Sequence, residues 1–195
     1  MDPEQSQQPK PIPLVLYKTG PVPYSNLPRN IQLCMTSSAR MLGAELRYSD
    51  DDACRRHIST QLPPPVLRAY DSLIPPAFKA DLWRYCILYT HGGIYGDMSQ
   101  TVLRAHKLNE RPVDMVLTKD RNVCNSQNNI QISFMAAVPR SPILQHIIKQ
   151  VTNEVLRKHR GRCDLDITGP TAFGRHLCQF LGITNILDGL HSYKT

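Results

Sequence analysis

The chain has 195 residues, 41% of them hydrophobic and 20% charged, the composition of an ordinary globular protein long enough to bury roughly 70% of its unfolded surface without disulfide staples. Its 23 Lys and Arg against 16 Asp and Glu give a net charge of +7, which favours anionic partners such as nucleotides, phosphorylated substrates or nucleic acid. No apolar run nears the roughly 20 residues that cross a bilayer, so no membrane span is expected.

The opening MDPEQSQQPKPIP has no apolar core of a secretory signal. Residues 1–11 read as a flexible Pro-rich leader and 12–195 as one domain, itself open to being the N-terminal part of a longer polypeptide. Six widely spaced cysteines, Cys34, Cys54, Cys86, Cys124, Cys163 and Cys178, show no Cys-x-x-Cys and no zinc-type spacing. They read as reduced thiols of a cytoplasmic protein. Next, PLVLY (13–17) has the look of a strand ending at Lys18-Thr19-Gly20, and a helix from Pro28 to Leu42 is stopped by Gly43. AELRYS (44–49) alternates as a strand does and runs into DDDACRRHI, whose acidic start suits a helix N-terminus. Pro63-Pro64-Pro65 interrupts the pattern.

Pro75-Pro76 opens a helix that Gly92 ends near His91, and GIYGD follows as a strand. VDMVLT (113–118) and IQISFMAAV (130–138) are further strands, and Ser141-Pro142 starts a helix with Ile143, Ile147, Val151 and Val155 on one face. The basic run RKHRGR (157–162) reads as that helix's cationic last turn or, as a rival, a nucleic-acid contact. Strands alternating with helices predict an α/β fold with a mostly parallel, Rossmann-like sheet, whose ligands collect where the strands end.

The segment KADLWRYCILYTHGGIYGDMSQ (79–100) concentrates the chemistry. On a helix Asp81 and Arg84 share a face, which by itself is most simply an exposed ion pair, while Leu82, Tyr85 and Tyr89 face the core. Gly92-Gly93 allows a sharp turn and a close backbone approach. An extended segment after it would place Asp97 and Ser99 on one side. An Asp-x-Asp there offers two oxygens to a divalent cation that bridges a diphosphate; here the second is a hydroxyl.

Ala-Asp-x-x-Arg-Tyr followed by Gly-Gly-Ile-Tyr-x-Asp resembles glycosyltransferase family 32, the group with the DXD sugar-binding region. IPLVLYKTG, YSDDDACRRHI and DITGPTAF are similar to further family segments, so the resemblance runs from about residue 12 to 173. It implies a GT-A fold and transfer of a hexose, galactose favoured over mannose, from a UDP- or GDP-sugar donor to a glycan acceptor, with retention. It implies Asp97, Arg84 and Asp81 as catalytic residues. Tyr17, Lys18, Thr19, Asp81, Arg84, Gly93, Tyr95, Asp97, Thr168, Gly169 and Pro170 are the implied donor-binding residues. A metal, Mn²⁺ or Mg²⁺, would rest on Asp97, weakly on Ser99, and on a completing group such as Gln100, Asp188 or His191. The resemblance requires no nucleic acid. Loss of the second carboxylate leaves open an idle sugar-nucleotide or glycan-binding module. Asn125, Asn128 and Asn129 stand as either an acceptor contact or a turn.

Overall fold

The computed structural model describes residues 11–104, 108 and 113–189. Its elements in chain order are β1 (Val15–Thr19), α1 (Arg29–Leu42), β2 (Glu45–Ser49), α2 (Asp51–Gln61), α3 (Pro64–Ser72), α4 (Pro76–His91), β3 (Gly93–Gly96), β4 (Met115–Lys119), β5 (Ile130–Ala137), α5 (Pro142–Leu156), α6 (Pro170–Leu181) and the short α7 (Ile186–Gly189). The strands form a sheet in the order β2-β1-β3-β5-β4. β1 pairs in parallel with β2 and β3, and β5 pairs antiparallel with β3 and β4. Four strands therefore point one way and β5 alone runs against them, the mostly parallel α/β sheet that the sequence predicts.

Period two along the central strands sorts the core. Leu16, Ile94 and Ala136 stand side by side across β1, β3 and β5 and bury against Ala39 and Leu42 of α1. The neighbouring row, Tyr17, Tyr95 and Met135, enters a larger core with Trp83, Tyr85 and Leu88 of α4, Ile147 and Val151 of α5, and Phe173 and Leu177 of α6. α4 is buried from Asp81 to Leu88 without interruption, so it has no solvent face along that stretch.

The Gly-Gly pair earns its place sterically. Gly92 closes α4 with φ of 65° and its amide on the Leu88 carbonyl at 2.8 Å. A Cβ there would lie 2.6 Å from Pro139, and one on Gly93, at φ of 106°, would lie 2.9 Å from the Val15 carbonyl oxygen and 3.0 Å from the Tyr17 ring. Only glycine lets the helix reverse this tightly into the middle of the sheet.

Three expectations need correction. Pro63-Pro64-Pro65 is not merely an interruption: Pro64 and Pro65 open α3, where the first-turn amides they lack have no intrahelical partner anyway. α5 ends at Leu156 with Arg157 as its cap, so the basic run lies past the helix, not in its last turn. Cys124 and Cys163 form a disulfide across 39 residues with their Cα atoms 6.1 Å apart, whereas all six cysteines were expected reduced; Cys34, Cys54, Cys86 and Cys178 are free. The fold brings the β4–β5 loop against the segment ahead of α6, a proximity that no spacing motif announces. No helix among the described residues is long and apolar enough to cross a membrane.

Candidate active site at the end of β3

β5 outruns β3 at the end where the candidate residues gather. Gly96 pairs with Phe134, and the earlier residues of β5 continue past it. The Asp97 amide donates to the Ser133 carbonyl at 2.9 Å, Arg84 Nη1 to the Ile132 carbonyl at 2.7 Å, and Gln100 Nε2 to Ser133 Oγ at 2.8 Å. Strand β5 thus forms a wall beside the exit of β3.

Arg84 is the hub. Its Nη2 lies 3.0 Å from Asp81 Oδ1 and 3.4 Å from Asp97 Oδ1, and its guanidinium carbon stands 4.5 Å from the centre of the Tyr95 ring. Asp81 Oδ2 accepts the Thr168 hydroxyl at 2.9 Å, the Tyr85 hydroxyl donates to the Thr168 carbonyl at 2.6 Å, and the Tyr95 hydroxyl donates to Asp97 Oδ1 at 2.8 Å. The side chains of Arg84 and Asp81 are 6% and 12% exposed and that of Asp97 is 41% exposed. An exposed ion pair is therefore excluded. The cluster reaches solvent through Asp97, and both of the contacts that Asp97 makes to these side chains fall on one carboxylate oxygen.

The electrostatics follow from burial. Desolvation pushes the Asp81 carboxyl upward, against Arg84 and the Thr168 hydroxyl, which pull it down. Burial also works against the Arg84 charge, but Tyr95, Asp81 and Asp97 outweigh it and raise the guanidinium further. Since an arginine side chain stays protonated in proteins, it is the fixed charge around which the carboxylates are arranged. The Tyr85 and Tyr95 hydroxyls are raised by burial and act as neutral donors.

The other candidates divide into those beside the cluster and those away from it. Thr168 reaches Asp81, with Gly169 and Pro170 starting α6 directly behind it. Thr19 ends β1, its hydroxyl donating to the Ser49 carbonyl at 2.8 Å. Tyr17 is buried in the main core, and the Lys18 ammonium is engaged by two backbone carbonyls, so neither side chain is presented to a ligand. Gly93 begins β3 while Asp97 follows its end, about 13 Å away at strand spacing; its role is packing against β1.

Asp97 and Ser99 do not lie along one extended segment, as period two predicts. The strand stops at Gly96, and the chain turns, with the Gln100 amide on the Asp97 carbonyl at 3.0 Å; Ser99 is exposed at the turn. His191 lies outside the described residues, as do residues 1–10. Asp188 sits on α7, where the preceding turn is docked on Asn128, whose side chain meets the Thr184 carbonyl and the Ile186 amide. Asn129 is buried, its Nδ2 donating to the carbonyls of Arg121, Val123 and Ser126 and its Oδ1 accepting from Thr171. Asn129 thus ties the loop ahead of β5, and Asn128 docks the segment ahead of α7. Asp50 caps α2 through the Ala53 amide at 2.8 Å, with Asp51 and Asp52 in its first turn.

This turn offers a divalent cation one carboxylate, that of Asp97, with the exposed Ser99 hydroxyl two residues on; among the described residues no three His, Cys, Asp or Glu side chains group as ligands. That donor set fits a cation whose remaining ligands are phosphate oxygens and water, and not an all-protein cage. An open cavity of about 460 Å³, lined by Gln100, Thr101, Val102, Leu103, Arg104 and Phe134, lies on the α1 side of the turn, the opposite face from Arg84.

Sequence reasoning missed the carbonyl of Ile132 and the backbone and hydroxyl of Ser133, which act mainly through main-chain atoms and carry no side-chain signature. It also read Tyr85 as core alone, although its hydroxyl holds the Thr168 segment.

The chain is 26% identical over 126 residues to the initiation-specific alpha-1,6-mannosyltransferase of Schizosaccharomyces pombe, covering 54% of this chain and 32% of that protein. It is 26% identical over 172 residues to an uncharacterised glycosyltransferase of Acanthamoeba polyphaga mimivirus, covering 87% of this chain and 66% of that one. It thus spans only part of the length of either relative. The solved structure of the PaToxG glycosyltransferase superposes with a TM-score of 0.70 at 15% identity, covering 89% of this chain and 71% of that one, and shares the fold, the GT-A arrangement that the resemblance implies. The model of the glycosyltransferase sugar-binding region containing the DXD motif matches residues 31–130, over half of the chain and all of Asp81, Arg84, Tyr95 and Asp97, and the chain belongs to that glycosyltransferase family.

Proposed function

We propose that residues 12–195 form a catalytic domain that transfers a hexose, galactose in preference to mannose, from a UDP- or GDP-sugar to a glycan acceptor with retention at the anomeric carbon. The observation that supports this reading is a buried guanidinium fixed between two carboxylates at the carboxyl end of a central strand, with one carboxylate open to solvent. Ligands of open α/β sheets collect at such ends. Asp97 is the group that meets the ribose or sugar. Asp81 and Arg84, set beneath it and bound to each other, to Thr168 and to the Ile132 carbonyl, fix the inner edge of the site, and the Thr168-Gly169-Pro170 start of α6 lies toward the diphosphate.

The chain's own contribution is positioning and preorganised charge. Arg84 is held by the Ile132 carbonyl and by Asp81, and Asp81 by Thr168, so these groups need no rearrangement when charge develops on a leaving diphosphate. A bound Mn²⁺ or Mg²⁺, held by Asp97 and weakly by Ser99, would supply neutralisation of that leaving charge.

Incubating the purified chain with UDP-galactose, UDP-glucose and GDP-mannose, with and without Mn²⁺, tests the reading through release of UDP or GDP. Turnover that collapses in Asp97→Asn supports it, and neither binding nor release with any donor overturns it. One observation favours a second reading: Ser99 stands where a second carboxylate is expected, exposed at the turn. Tight binding without turnover under every condition would select an idle sugar-nucleotide-binding module.

A further inference from the structure

We infer that Lys18 is a positioning residue for the turn that carries Asp97, a role that rests on the transferase reading of this site. Lys18 projects from β1 on the same face as Leu16 and is 1% exposed. A lysine is seldom buried this completely unless its ammonium is paired. Here Nζ donates to the carbonyl of Asp97 at 2.8 Å and to that of Gln100 at 2.9 Å, the first and last residues of the turn that the Gln100 amide closes. The ammonium passes directly beside Gly96, where a Cβ would stand 3.5 Å from Nζ, an ordinary packing contact.

The hold continues through α1. The Gln100 carbonyl also accepts from Ser38 Oγ at 3.3 Å and Cys34 Sγ at 3.3 Å, and Ser38 Oγ accepts the Val102 amide at 3.0 Å. On the other side, the Ser133 carbonyl takes the Asp97 amide at 2.9 Å. The backbone of Asp97 is thus fixed from both flanks while its side chain is left facing solvent. Of these contacts only those of Lys18 carry a full charge, and charge-assisted hydrogen bonds are about twice as strong as neutral ones. Lys18 touches no ligand; it sets where the Asp97 carboxylate stands.

Lys18→Met removes the donors at nearly constant length, and Lys18→Arg keeps the charge. Amide hydrogen exchange at Asp97, Gln100 and Val102 reads the turn directly in the free protein, and nucleotide release from UDP-galactose and GDP-mannose reads the consequence. In Lys18→Met, exchange at these three amides is expected to rise at least ~10-fold relative to amides of α5. Turnover should fall roughly 100-fold through misplacement of Asp97, with KM changing less than kcat, and Lys18→Arg should restore part of both. Should Lys18→Met fail to fold, Lys18→Gln carries the same readings. Native exchange at the turn in a folded variant overturns the proposal, as does a loosened turn with full turnover. If the unaltered protein releases no nucleotide from either donor, the transferase reading fails separately, and the exchange data still decide whether Lys18 holds the turn.

Discussion

Arg84 and Arg175 are each bound to two carboxylates, and the two clusters do different work. Arg175 forks onto both oxygens of Glu154 at 2.7 and 2.9 Å and reaches Asp166 Oδ1 at 3.0 Å. Glu154 Oε2 also faces His176 Nε2 at 3.2 Å, and Asp166 Oδ2 takes the Arg162 amide and Nε. Every carboxylate oxygen there is occupied, so the cluster fastens α5, α6 and the short turn at Asp164–Asp166. Around Arg84 the deep carboxylate is equally saturated, but Asp97 keeps an open flank in solvent. An arginine-carboxylate cluster becomes a candidate binding site where one member remains available to a ligand.

Breaking each cluster sharpens the comparison. Arg84→Met should have the largest effect, a loss of turnover of at least ~100-fold together with destabilisation of about 3–5 kcal/mol, because Asp81 is left buried without its counter-charge. Nucleotide release and chemical denaturation measure the two. Asp97→Asn should lose about as much turnover, ~100-fold, while stability stays within about 1 kcal/mol, since this carboxylate is half in water. Arg175→Met should invert that pattern, costing about 1–3 kcal/mol with turnover near the parent value.

Acid separates the clusters next. Burial pushes Glu154 and Asp166 up, but their hydrogen bonds to Arg175, Arg162 and His176 hold both below the usual carboxylate range. Folded values below unfolded ones mean stability that is complete above the unfolded pKa and lost as pH falls through the folded pKa. His57, pushed down to about 4 by burial and by His91, adds a loss as pH falls from 6.5 toward 4, because the unfolded chain binds that proton first. Thermal melts should therefore shift down across this window, with a shallower lower end in Arg175→Met and a shallower upper end in His57→Gln. The smallest effect is expected from Ser99→Asp, a several-fold gain in Mn²⁺ affinity by calorimetry in the presence of UDP, with little change in the melt.

The parts of this molecule that announce themselves in sequence are those fixed by local stereochemistry. Gly43 and Gly92 end their helices as read, Asp50 caps α2, and the apolar run PLVLY and the segment IQISFMAAV mark strands of the sheet. The gathering of Asp81, Arg84 and Asp97 was partly legible because they lie on one helix and at the exit of the short strand that follows it. Thr168 was named only through resemblance: it meets Asp81 across 87 residues, a contact that no local pattern encodes. The turn at Asp97 was misread as extended because its geometry is set by Lys18, Ser38 and Ser133, which reach it from three other elements.

The reversed direction of β5 has a consequence for traffic through the site. Its overhanging stretch from Ile130 to Ser133 is anchored to the sheet through β4, so the flank of Asp97 nearest to it is masonry and not a door. On the opposite flank Gly20, just past β1, meets Tyr48 of β2 and Met98 of the turn. There a Cβ on Gly20 would collide with the Tyr48 hydroxyl at 2.6 Å and with the Met98 sulfur at 2.8 Å, so the turn that carries Asp97 is walled in by close packing on that side too.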